Sequence, residues 1–138
     1  MSTTLYTDIR AALTQRLGSL PQLPQVAWEN TTFIPTVGKA YLAPCIIWSE
    51  TNQAEIGAAG RNWEGGIYQI DAIYPPNEGP GPLNKIMGAL KDHFKRGTSL
   101  LYNGLEVKIK KVYPGPQSIT TAGIRQPITI VFQCQAPN

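Results

Sequence analysis

From Arg61 to Arg96 the hydrophobic period switches once, across a proline-rich corner, and few folds accommodate that switch. Tyr68, Ile70, Ala72 and Tyr74 recur at every second position, with Gln69 and Asp71 between them, which is the pattern of a strand with one buried face. Pro75 and Pro76 lack the amide donor that a ladder needs, so pairing should stop there. Gly79, Pro80, Gly81 and Pro82 make a stiff turn, with Pro82 suited to the first turn of a helix. Leu83, Ile86, Met87, Leu90 and Phe94 then fall three and four apart, predicting a helix over Pro82–Lys95 with one apolar stripe. A one-sided strand joined to a one-sided helix buries both apolar faces most simply by laying one on the other.

The rest of the chain reads as additions to that pair. Ser2–Leu17 is expected to be a first helix, capped by Ser2, Thr3 or Thr4, with Leu5, Ile9, Ala12, Leu13 and Leu17 as its stripe and Gly18 as its stop. Val26–Glu29 is a candidate short strand and Ala40–Ser49 a long one, in which Pro44 implies an edge or a bulge. Asn62–Tyr74 should return beside it after a flexible hairpin loop, Thr51–Gly60. Asn103-Gly104 marks a tight turn between Leu100–Tyr102 and the strand Leu105–Val112. Pro114–Gln126 reads as a second long loop, and Ile128–Gln135 as the last strand. The expected class is α+β: a two-layer arrangement of a mostly antiparallel or mixed β-sheet with two helices packed on one face.

At 138 residues the chain is expected to be a single domain, residues 1–138, with a core large enough to need no disulfide or metal. Cys45 and Cys134 lie within predicted strands and have no Cys or His at ligand spacing, so they read as small buried hydrophobes. The N-terminus is polar, without the apolar core of a signal peptide, and no apolar run reaches membrane-span length. Net charge is +3, unevenly distributed. Before Gly79 there are seven acidic residues against four basic ones; from Gly79 onward there are eight basic against two acidic.

The inventory of reactive groups is thin. His93 is the only histidine, beside the helical stripe and next to Asp92 and Phe94; adjacent helical residues point apart, which weakens a hydrolytic His93–Asp92 pair. Nucleophile-elbow, P-loop, zinc-protease and dinucleotide motifs are absent. Glu64 and Asp71, seven apart on one strand, should occupy opposite faces and cannot act as an acid/base pair without a bulge between them. Gln69 and Asp71 share a face that is either solvated or in polar contact with a neighbouring subunit. Lys108, Lys110 and Lys111 form the densest basic run, with Lys108 and Lys110 expected to point the same way. Together with Lys91, Lys95 and Arg96 they are a candidate basic face, without interleaved aromatics for base stacking. Tyr113 is either an interface anchor or a turn aromatic. Ile119, Ile124 and Arg125 stand out in the second loop as two apolar side chains and a cation among small residues.

Three segments, taken in order, carry a family resemblance: V-A-W-E-N-T-T-F-I-P (Val26–Pro35), Y-L-A-P (Tyr41–Pro44) and G-G-I-Y-Q-I-D-A-I-Y-P-P-N-E-G-P-G-P (Gly65–Pro82). With the amphipathic helix that follows and Val112–Pro116, they resemble the tail-terminator (tail-completion) proteins of long-tailed bacteriophages. The resemblance implies a small, non-enzymatic α+β protein of the virion tail, assembled in the host bacterial cytoplasm, with no cofactor, no metal and no membrane. It implies a ring, typically a hexamer, on the end of the tail tube. Its partners would be copies of itself, the tube protein and the head-tail connector, with DNA only as passing cargo. Ile119, Ile124, Arg125, Tyr113, Gln69 and Asp71 are then the candidates for a subunit or tube interface. Another neck or head-completion protein, and a small DNA-binding module using the basic C-terminal half, are the competing readings.

Overall fold

The computed structural model describes residues 4–29, 31–34, 38–57, 60–75, 80–120 and 123–137. Two helices and eight strands follow in the order α1 (Leu5–Gly18), β1 (Gln25–Val26), β2 (Tyr41–Trp48), β3 (Asn52–Gln53), β4 (Arg61–Tyr74), α2 (Pro80–His93), β5 (Ser99–Tyr102), β6 (Leu105–Pro114), β7 (Ser118–Thr120) and β8 (Gly123–Pro137). The α+β expectation holds. One sheet runs in the order β1-β2-β4-β8-β6-β5, with β3 added on β4 and β7 on β8. Only β1 and β2 run parallel; every other described pair is antiparallel.

Both apolar stripes lie in one core. Ile9, Ala12, Leu13 and Leu17 of α1, Leu83, Ile86, Met87 and Leu90 of α2, and Phe94 just past its end are buried against Leu42, Ile46, Tyr68, Ile70, Ala72, Ile128, Ile130 and Phe132. The Tyr68 and Phe94 rings meet at 6.2 Å, where the long strand and its following helix pack as their shared corner requires. Of the candidate caps of α1, Ser2 and Thr3 lie outside the described residues. Thr4 takes the cap position without a side-chain bond to the backbone.

Hydrogen-bond direction explains two of the prolines that sit within strands, Pro44 and Pro114. The Ala27 amide donates to the Leu42 carbonyl at 2.7 Å, so the polar groups of residue 42, and of residue 44 two positions on, point away from β4. Pro44 therefore lacks its N–H on the outer flank of β2, the side no strand covers beyond Tyr41–Leu42 among the described residues. Pro114 repeats the arrangement. The Gly115 amide donates to the Pro127 carbonyl, so position 114 presents its missing donor to the unpaired flank of β6.

The segment expected as a second long loop is largely paired. Ser118, Ile119 and Thr120 oppose Arg125, Ile124 and Gly123, making a β7–β8 hairpin, and β8 starts at Gly123 rather than Ile128. In the first loop, β3 pairs with Asn62 and Trp63, so that loop too is partly sheet.

Candidate assembly surface

The helices cover one face of the sheet, and side chains at alternate positions occupy the other. Reading the register across β2, β4, β8 and β6, this open face carries the row Cys45–Gln69–Thr129–Tyr113 and the row Ile47–Ile67–Val131–Lys111. Asp71 lies one step along β4 from Gln69, opposite Ala43 and Pro127, and Arg125 lies opposite Ile73. Four of the six interface candidates (Gln69, Asp71, Tyr113 and Arg125) thus share one surface although they come from three strands.

Their contacts hold the surface in shape. The Gln69 amide donates to Asp71 Oδ1 at 3.1 Å, and Arg125 Nη1 lies 3.6 Å from Asp71 Oδ2. The Asp71 side chain is 17% exposed and that of Arg125 46%. The guanidinium therefore reaches water past a carboxylate that already orients it. Lys111 Nζ stands 5.7 Å from the centre of the Tyr113 ring. Cys45, beside Gln69, has its thiol pKa pushed up by burial first and then by the Glu29 and Asp71 carboxylates. As a neutral thiol it behaves as a small apolar group.

Ile119 and Ile124 part company. Ile119 stands 90% exposed on β7, whereas Ile124, its cross-strand partner, is half-buried and packs against the core opposite Tyr74. Ile124 therefore does not stand out from the fold as its place in the expected loop implied: it supports the base of the hairpin that presents Ile119.

The six basic candidates Lys91, Lys95, Arg96, Lys108, Lys110 and Lys111 are all exposed. The Gly97 amide donates to the Ile109 carbonyl, and the Ile109 amide to the Thr98 carbonyl, both at 2.9 Å. These bonds bring the Lys95–Arg96 turn beside β6. A register shift between Ile109 and Lys111 then changes which lysines face together. Lys108 pairs with Gln133 and Lys111 with Val131, so Lys111, not Lys110, continues the face of Lys108. Lys108 also lies 3.8 Å from Glu106.

The residues weighed for catalysis are structural. Glu64 is buried on the helix side, where Thr51 Oγ1 donates to both carboxylate oxygens (2.9 and 3.0 Å) and the Tyr6 hydroxyl donates at 3.2 Å; Asp71 is on the other face. His93 bonds to α1 through the Arg16 carbonyl and Ser19. Among the described residues no cluster of three or more His, Cys, Asp or Glu could hold a metal, and no helix is long and apolar enough to cross a membrane.

One feature escaped sequence reasoning. A cleft of about 390 Å³ between α1 and β2 is lined by Arg10, Thr14, Trp28, Glu29, Pro44 and Tyr68. Arg10 and Glu29 form an ion pair at it. The Tyr68 hydroxyl is buried with no hydrogen-bond partner among the described residues, and burial raises its pKa far above the ordinary tyrosine value. Trp28, inside the Val26–Pro35 segment, was the available signal, but four separate segments build the cleft.

A family model described as phage tail terminator protein matches residues 8–132. The chain belongs to the phage tail terminator family. One solved structure shares 25% identity with this terminator over 95% of its chain and 96% of the other, with a TM-score of 0.75. A second, from the virion of a native gene transfer agent (GTA) particle, is 16% identical over 99% and 100% of the two chains, with a TM-score of 0.62, a likeness of fold. Curated protein sequences give no match. In this family member the amphipathic α2 and the Tyr41–Pro44 and Gly65–Tyr74 segments, on which the resemblance rested, supply the centre of the core.

Proposed function

We propose that this chain, acting as a single domain, forms a ring (a hexamer on the family pattern) that caps the finished tail tube. The ring stops tube polymerisation and offers its free side to the head-tail connector. The observation that carries this reading is the terminator family match over residues 8–132. The sheet face left open by the helices adds support, because it holds polar, oriented groups around half-buried apolar ones. That is the composition of an interface rim and core. The protein does no chemistry in this reading: its work is contact with copies of itself, the tube protein and the connector, while DNA passes as cargo. It would assemble in the bacterial cytoplasm and end in the virion tail, without cofactor or membrane.

The test is deletion of the gene in the phage, followed by electron microscopy of the tails. Tails of uncontrolled length that fail to join heads support the reading, and normal tails overturn it. Tails of correct length that still fail to join heads would favour another neck protein. The six exposed cations favour a second reading, DNA binding, which requires affinity of the isolated protein for duplex DNA that falls steeply with salt.

A further inference from the structure

The two edges of the sheet carry stretches of one pattern. Beyond Leu42 no strand among the described residues covers the outer flank of β2, which leaves Cys45-Ile46-Ile47-Trp48 unpaired on that side. At the opposite edge β5, Ser99-Leu100-Leu101-Tyr102, pairs only with β6. Ile46 and Leu100 are buried in the core. Ile47 and Leu101 stand on the open face, 50% and 74% exposed. Trp48 and Tyr102 both turn an aromatic ring to the helix side, Trp48 against Tyr6 and Phe132 and Tyr102 against the core. Neither stretch contains a charge or a proline, the devices that keep an edge from taking another strand.

The main chain matches as well. The Ser49 amide donates to the Gly65 carbonyl, so odd-numbered residues of β2 bond to β4, and Ile46 and Trp48 turn their N–H and C=O outward. The Ile109 amide donates to the Thr98 carbonyl, so Leu100 and Tyr102 bond to β6, and Ser99 and Leu101 turn outward. From β2 through β4, β8 and β6 to β5 each strand is antiparallel to the last, so β2 and β5 run in the same direction. Copies related by rotation about an axis along the strands therefore present these edges to one another in parallel. The same flank of β2 already takes a parallel strand, β1.

Resting on the ring reading above, we propose that copies of this chain join edge to edge, β5 of one adding in parallel to Cys45–Trp48 of the next with Leu100 level with Ile46. That register sets the buried pair, the exposed pair Ile47 and Leu101, and the rings of Trp48 and Tyr102 side by side. It also has the alternation a parallel ladder needs. The Ile46 amide donates to the Ser99 carbonyl, the Leu101 amide to the Ile46 carbonyl and the Trp48 amide to the Leu101 carbonyl. Pro44 has no amide with which to extend the ladder, and the Asn103-Gly104 turn ends it on the other side. Within one copy Ser99 is level with Ser49, through Lys108, Gln133 and Gly65; at the joint it meets Cys45 instead. Closing tilted strands into a ring requires a stagger of this kind. The occupant of each edge is a second copy because the two edges complement each other in direction, alternation and side-chain order.

The test uses the exposed pair. Ile47→Cys together with Leu101→Cys, in a Cys45→Ala background, should give oxidised ladders of linked copies on assembled phage tails, since level residues of neighbouring strands lie within disulfide reach. Either cysteine alone should give none. Leu101→Pro removes the outward amide without touching the β5–β6 ladder, so the isolated chain should melt as Leu101→Ser does, yet its ring should be lost from tails. Leu101→Ser keeps the amide and should retain the ring. If Leu101→Pro does not fold, the cysteine pair decides alone. Rings that form as before with Leu101→Pro, and no ladders, overturn this joint while leaving the terminator reading intact. Equal loss of length control with Leu101→Ser and Leu101→Pro, without ladders, would assign Leu101 to another tail protein and overturn the joint too. A protein that stays monomeric even on tails would remove the ring reading itself.

Discussion

Arg16 and His93 exchange hydrogen bonds between the ends of the two helices: Arg16 Nε donates to the His93 carbonyl at 2.9 Å, and His93 Nε2 meets the Arg16 carbonyl at 2.6 Å. The carbonyl can only accept, so Nε2 carries the proton. Ser19 Oγ, 3.0 Å from the same nitrogen, closes the group. Each C-terminal end thereby gains a side-chain donor for a carbonyl of its last turn, and the Arg16 carbonyl also accepts from the Ser19 amide and hydroxyl. The only histidine of the chain is thus a clamp between α1 and α2.

Removing that clamp should cost less than opening the core. His93→Ala loses part-exposed hydrogen bonds worth about 1 kcal/mol. Leu90, 0% exposed at the centre of the α2 stripe, should cost about 2–5 kcal/mol when cut to alanine, through lost transfer energy and a cavity. Denaturant unfolding of the two variants measures the difference, and equal losses would show that the clamp contributes as much as the core.

Gly123 sits where the hairpin closes on the end of β4. Its φ is +131°, and a Cβ there would collide with the Tyr74 carbonyl oxygen. Gly123→Ala should therefore destabilise the fold by about 2 kcal/mol or more, through backbone strain and the displaced strand end. A melting temperature like that of the parent chain would mean that the hairpin base does not approach Tyr74 this closely.

Cys45 and Cys134 cannot bridge within this fold. Cys45 is on the open face in the row of Gln69 and Thr129, while Cys134 is in the core opposite Glu64. Burial, and next the Glu64 carboxylate, push the Cys134 thiol from its ordinary 9.0 up to about 11. The folded state therefore holds the proton after the unfolded chain has released it. This contribution to stability is complete below pH 9.0 and is lost as pH rises towards 11. The loss should be about 2 kcal/mol. Unfolding free energies across that range should fall in the parent chain and fall less in Cys134→Ala; identical slopes would contradict the assignment.

Elements with strong one-sided patterns were legible in the sequence, and elements without them were not. Tyr68, Ile70 and Ala72 alternate cleanly because one face of β4 is buried, and the α2 stripe is equally plain. Pro44 announced an edge because only an unpaired flank tolerates its missing donor. By contrast, all three residues of β7 are exposed, so no alternation distinguishes it from a loop. The register shift after Ile109 is also silent, since an extra lysine between lysines disturbs no apolar pattern. Gln69, Asp71 and Arg125 could be suspected singly, but only the β4–β8 register shows that they meet. The Tyr68 cleft joins segments far apart in the chain, and Trp28 is its one local signal.

The two isoleucines of the hairpin should separate stability from assembly. Ile119→Ser removes an apolar group that is already in water, so the melting temperature should stay within the small range of surface substitutions, about 0.5 kcal/mol. Ile124→Ser takes an apolar side chain out of contact with the core and puts a hydroxyl in its place, at a cost of about 1–3 kcal/mol. If the hairpin reaches another protein in the tail, the phage carrying Ile119→Ser should make a stably folded terminator and still produce tails of uncontrolled length that fail to join heads. The Ile124→Ser phage should show the same defect only together with reduced stability, and lowering the temperature should partly relieve it. Normal tail lengths in the Ile119→Ser phage would remove the exposed isoleucine from the mechanism. A large loss of stability in that variant would instead show that Ile119 is covered within its own subunit.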